Sequence, residues 1–211
     1  MIKLKSFEGT IEVTTTGKVA VAPDEAVIDL TVITEAETAA AAVSANALRT
    51  QAVIDAVSNE PNHSVTTTGL GVTPLYRFDA KTGVSSIIGF RATNTVRVRT
   101  KPGHAGRIFD VGIQAGASAV SGISFRVQNE ALYREEALRL AVKTAFAEAA
   151  IVAQTADVKI DGARTIQIDP GFMPILYRSQ AFEAGAAPTP VIPTDVMIEA
   201  TVRIIFQTRV G

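Results

Sequence analysis

The sequence contains no cysteine. Disulfides, thiol catalysis and zinc-thiolate sites are therefore excluded together. The compartment is not fixed by this, because a chain without thiols is stable in either redox environment. Histidine is nearly as scarce: His63 and His104 are the only two, and neither has a partner at metal-ligand spacing. Both read as surface residues, one near a turn and one near a helix start. Neither H-E-x-x-H nor G-x-S-x-G occurs. A Ser-His-Asp arrangement can converge in space without a local motif, but nothing in the sequence points to one. The reading is no catalytic residue, no cofactor, no metal and no enzyme.

A surplus of one charge is also missing. With 20 basic and 21 acidic residues the net charge is −1. Sequence-independent nucleic-acid binding calls for a basic surplus, and a polybasic membrane anchor does too. Long apolar runs are absent as well. A long uncharged run, from Val111 to Phe125, is laced with Gly and Ser and is too short and polar to span a bilayer. The opening residues, Met1 to Glu8, carry two lysines but no apolar stretch behind them, so no signal peptide is expected. The chain as written is expected in the cytoplasm, or in the periplasm or envelope if it is a trimmed mature form.

What is present is aliphatic. Hydrophobic residues make up 47% and charged residues 19% of the 211 positions. The charged share is below the usual quarter, and mean hydropathy is +0.24. A chain of this length buries roughly 70% of its unfolded surface, enough for a core without staples. Two explanations of the excess compete: an Ala- and Val-rich interior, or apolar surface hidden in an oligomer.

Thr10–Val21 is rich in Thr and Val and reads as a strand. Pro23-Asp24 signals a turn. Ala26, Ile28, Leu30 and Val32 then alternate with Val27, Asp29 and Thr31, the period of a half-buried strand. These two strands are expected to pair as a hairpin. Glu37–Ser58 is amphipathic and helical, ending at Asn59-Glu60-Pro61-Asn62. Ser64–Phe78 and Ser85–Thr100 read as a second hairpin around the polar Asp79–Gly83 segment. Within it Gly69-Leu70-Gly71 lacks a third glycine and a following helix, so a bulge is expected there rather than a phosphate loop.

Pro102–Gly116 reads as a short helix, Ala119–Val127 as a strand, and Asn129 as the N-cap of a helix to Thr155. Ala137, Ala141, Ala145 and Ala149 recur every four residues there, a small-residue stripe for close packing on a sheet. Arg164–Arg178 and Val196–Thr208 read as strands. The proline-bearing Ala181–Thr194 segment between them reads as a long, mobile connection.

The order strand, long helix, strand, strand thus occurs twice. Pro74-Leu75-Tyr76-Arg77 echoes Pro174-Ile175-Leu176-Tyr177-Arg178, and Thr95-Val96-Arg97-Val98 echoes Thr201-Val202-Arg203-Ile204. The reading is one domain over 1–211 with an internal duplication, about 10–100 and 101–211. Its fold class is α+β: a mostly antiparallel sheet covered by two long helices plus one short helix.

These residues resemble a known family. Gly17-Lys18-Val19-Ala20-Val21-Ala22-Pro23-Asp24-Glu25-Ala26 is similar to the opening signature of the SIMPL-domain family. Thr68-Gly69-Leu70-Gly71-Val72-Thr73-Pro74-Leu75-Tyr76 and Gly89-Phe90-Arg91-Ala92-Thr93-Asn94 resemble its third and fourth strands. Arg134-Glu135-Glu136-Ala137 resembles the start of its second long helix. The resemblance runs from about Thr10 to Thr208. It implies structural roles for Gly17, Val19, Pro23, Asp24, Ala26, Pro74, Tyr76, Gly89 and Phe90. It also implies ring-like or channel-like homo-oligomers, an envelope location for most bacterial members, links to immunogenicity and stress tolerance, and no established enzymatic activity.

The functional expectation is therefore a self-assembling scaffold or interaction protein, with other protein partners possible. Arg77, Arg178, Phe182, Pro188 and Pro190 are the candidate interface residues, on strand ends and in the long connection. The competing reading is a small-molecule-binding module or hydrolase with its site between the two halves.

Overall fold

The computed structural model describes residues 8–81, 83–169, 178–179 and 189–210. The fold is α+β, with antiparallel sheets and helices in separate layers. In chain order the elements are β1 (Glu8–Val21), β2 (Glu25–Ala36), α1 (Ala39–Ser58), β3 (Ser64–Asp79), β4 (Val84–Thr100), α2 (Ala105–Gln114), β5 (Ala119–Arg126), α3 (Glu130–Thr155), β6 (Val158–Ile168), β7 (Arg178–Ser179) and β8 (Val196–Val210). A single 3-10 turn, Pro102–His104, precedes α2.

The described residues fall into two compact units, 8–22 with 127–169 and 195–210, and 23–126 with 178–179 and 189–194. The first holds the antiparallel sheet β1-β8-β6. Helix α3 starts where the Asn129 side chain accepts the Leu132 N–H, satisfying a donor that the first turn leaves free. The whole alanine stripe, Ala137 through Ala149, is buried. Ala141, Ala145 and Ala149 pack against Val13, Val202, Ile204 and Phe206 of the sheet. Small side chains let the helix axis come close, and the sheet supplies the bulk. Phe146 adds an edge-to-face contact with Phe206, ring centres 4.9 Å apart.

The second unit holds the sheet β3-β4-β2-β5-β7. Its core joins Ile28, Leu30 and Val32 of β2, Val96 and Val98 of β4, and Val53 and Val57 of α1 with Ile108 of α2. Thr38 caps α1 by accepting the Ala41 N–H. Polar residues are buried in this unit too, Asn46 and Thr50 of α1 among them. Asn46 of α1 donates from Nδ2 to the carbonyls of Val32 (3.0 Å) and Ala92 (3.1 Å), and accepts from Thr50 Oγ1. A buried amide satisfied this way pins the helix to one register on the sheet.

Three expectations need correction. β1 and β2 do not form a hairpin: β1 pairs along its whole length with β8, and β2 lies between β4 and β5. The Asp24 N–H donates to the Arg126 carbonyl, 3.1 Å away. Non-local pairing of two long strands outweighs a local turn signal. Second, the strand expected over Arg164–Arg178 begins at Val158, and Arg178 belongs to the separate strand β7. Register shifts between Ile160 and Gly162, and between Ala163 and Thr165, break the period-2 pattern that sequence reading relies on. Third, the described end of the long connection is tied down. Asp110 accepts both the Thr189 N–H (3.0 Å) and its hydroxyl (2.6 Å), and Val191 packs on the core.

The two three-stranded cores share one order, β3-β4-β2 and β6-β8-β1. The strand before α1 pairs with β4, whereas the strand before α3, β5, pairs with β2, and β1 stands beside β8 instead.

Candidate functional site

The most exposed regular structure is the end of the β3–β4 hairpin. Nearly every residue of β3 is solvent-exposed. The irregularity between Thr67 and Gly69 puts a bulge where the Gly-Leu-Gly run predicted one, and a second lies opposite Leu75 and Tyr76. From Gly69 onward β3 alternates without interruption, so Leu70, Val72, Pro74, Tyr76 and Phe78 share one face. Their partners on β4 include Ala92, Phe90 and Ile87. Along β4, Ala92, Val96 and Val98 continue the same alternation, and Val96 and Val98 pack against Val53 and Val57 of α1.

The apolar face that α1 covers therefore runs on beyond the helix. There Leu70 is 72% exposed, Tyr76 62%, Phe78 65% and Ile87 54%. Among the described residues β3 is also an edge, with no strand on its outer side. An apolar ladder beside an open row of backbone donors and acceptors is the combination that accepts another chain.

The sequence-predicted residues divide by role. Gly17 is buried in β1, opposite Ala200, and a Cβ there would strike the backbone of Ala137 in α3. Val19, opposite Ile198, is partly buried. Pro23 and Asp24 form the link into β2, and Ala26 is fully buried between Thr100 and Phe125. Gly89 lies so near Ala36 that a Cβ would come 2.9 Å from its carbonyl oxygen. Pro74, Tyr76 and the half-buried Phe90 lie on the exposed ladder instead, Pro74 directly opposite Phe90. Arg77, opposite Ser86, is exposed one residue further on. Arg178 pairs through its backbone with Ser124, and Pro190 is exposed beside the anchored Thr189. Phe182 and Pro188, like the repeated Pro174 and Tyr177, lie outside the described residues.

Two open cavities among the described residues each lie within one unit. One, about 520 Å³, lies on the first unit's sheet and is lined by Thr14, Gln167, Ile168, Asp169, Thr201 and Arg203. Arg203 there is held by Glu12 at 2.5 Å. The hydrogen bond and charge of the guanidinium keep the Glu12 carboxyl below the ordinary carboxylate range. The other, about 220 Å³, brings together His63 and His104. No local signal in the sequence links these histidines.

The family profile of SIMPL, described as a protein of unknown function (DUF541), matches residues 11–206. This chain belongs to the SIMPL family. Two relatives of this SIMPL chain carry the name 26 kDa periplasmic immunogenic protein, one from Brucella melitensis biotype 1 and one from Brucella abortus strain S19. Each is 26% identical over 213 residues, spanning 94% of this chain and 84% of the relative. The residues that carry the resemblance serve two ends here. Gly17, Ala26 and Gly89 permit close packing inside a unit, while Pro74, Tyr76 and Phe90 build the uncovered face.

Proposed function

We propose that this SIMPL chain is a self-assembling interaction protein of the cell envelope, acting without catalysis. The observation that carries the reading is the apolar ladder of Leu70, Tyr76, Phe78 and Ile87 beside the open edge of β3. Leaving such a face in water is costly, at about 25 cal/mol for each Å² of apolar surface. A second copy covers it and accounts for a hydropathy of +0.24 in a chain with 19% charged residues. The envelope assignment rests on the two Brucella relatives, whose names place them in the periplasm.

Size-exclusion chromatography with light scattering on the full chain at micromolar concentration tests the assembly. A mass that is a multiple of 22.2 kDa supports it, and a single-chain mass refutes it. Cell fractionation of the organism that makes the chain, by osmotic shock, tests the compartment separately. Recovery with cytoplasmic markers would contradict the envelope assignment alone.

A further inference from the structure

His63 and His104, the chain's two histidines, face one cavity of about 220 Å³, together with Pro61, Asn62, Thr100 and Lys101. The cavity lies in the second unit, where the link from α1 to β3 meets the link from β4 to α2. Its walls are fixed by short hydrogen bonds. The His63 N–H donates to the Arg99 carbonyl (2.7 Å), and the His104 N–H to the Lys101 carbonyl (3.0 Å). Thr100 Oγ1 donates to the Pro61 carbonyl (2.7 Å), and Asn62 Nδ2 to the Glu60 carbonyl (2.8 Å). A wall already ordered loses little freedom when a ligand arrives.

The surrounding charges favour an anion. Glu25 of β2 lies 3.7 Å from His63 Nδ1 and 3.8 Å from Arg99. Glu60 is taken up by a two-pronged pair with Arg107 of α2. Lys101, on the cavity wall, has no ion pair among the described residues. Glu25, Glu60, Arg99, Lys101 and Arg107 leave one net positive charge. A metal fits less well. Two imidazoles fall short of a four-coordinate shell, and no described group of three or more His, Asp or Glu is placed to hold an ion.

We propose that this cavity binds a small oxyanion, the phosphate- or carboxylate-type group of a ligand, between Lys101, His63 and His104. This site is independent of the assembly face.

Two histidines give two sets of imidazole signals, so two-dimensional NMR of the full chain reads the site directly. The probes are sulfate, doubly charged at every pH used, and acetate, with chloride at matched ionic strength as control. Both imidazoles should shift saturably with one shared midpoint. Lys101→Gln, an exposed change that leaves the walls intact, should raise the midpoint about threefold or more. Tighter sulfate binding would assign a tetrahedral ligand group, and tighter acetate binding a planar carboxylate. Either supports the site. Shifts that are linear and equal to those of chloride, separate midpoints for the two imidazoles, or an unchanged midpoint in Lys101→Gln would each overturn it.

Discussion

Gly17 of β1 lies against Ala137 of α3 so closely that a Cβ on Gly17 would stand 1.9 Å from the Ala137 carbonyl oxygen. The same Cβ would be 2.7 Å from the Ala141 nitrogen. Two residues earlier, Thr15 donates its hydroxyl to the Ala141 carbonyl at 2.8 Å. Glycine on the strand and alanine on the helix therefore work as a pair.

We predict that Gly17→Ala pushes α3 off the sheet and destabilises the chain by about 3 kcal/mol. The clash is with backbone, which cannot rotate away. Urea unfolding followed by circular dichroism measures it. A midpoint equal to that of the parent would show that the helix has slack the structure does not.

How much of this was legible depends on the range of the signal. The helices were readable because their signals are local: Asn129 three residues before Leu132, alanines every four residues. The β3–β4 hairpin was readable for the same reason. The partner of β1 was not, because β8 lies nearly two hundred residues away and its alternation fits many partners equally well. The bulges of β6 hid its true start. Asn46 sits on a helix face with apolar neighbours, and only the sheet beneath reveals its two carbonyl partners. Motif matching found Tyr76 and Phe90 but could not separate an exposed ladder from a packed core. That difference is set by where α1 starts. The histidine cavity was invisible, since its imidazoles lie 41 positions apart in the chain.

Acidity should act on the link that closes α1. The Arg107 hydrogen bond and charge hold the Glu60 carboxyl below its ordinary range. A carboxylate depressed in the folded state contributes stability above its unfolded pKa, and that contribution is lost as pH falls through the folded value. Arg107→Gln should therefore be less stable than the parent at neutral pH. The gap should begin to close near the ordinary carboxylate value, about 4.3, and vanish once pH has fallen through the depressed folded value. Added salt should narrow it at neutral pH. Thermal melts of both proteins across this range are the check. A gap that persists at pH 2 would assign the effect to lost packing.

The anchor on α2 makes a separate prediction. Asp110 holds Thr189 by two hydrogen bonds, and Gly106 leaves room for the Thr189 carbonyl. Asp110→Ala should release this stretch and speed amide exchange at Thr189 by about tenfold or more. The amides of β2 and β4 should not change. Uniform acceleration over the unit would mean that the anchor supports the core as a whole.

The central claim is that the apolar ladder on β3 and β4 is covered by another copy of the chain. Light scattering on the parent and on Tyr76→Ser/Phe78→Ser, at equal micromolar concentration, addresses it most directly. Both positions are well exposed within one chain, so the double variant should fold with an unchanged far-ultraviolet spectrum. The account predicts an assembled parent and a folded variant at 22.2 kDa. A parent that is already a single chain, or a variant that keeps the parent's mass, would contradict it.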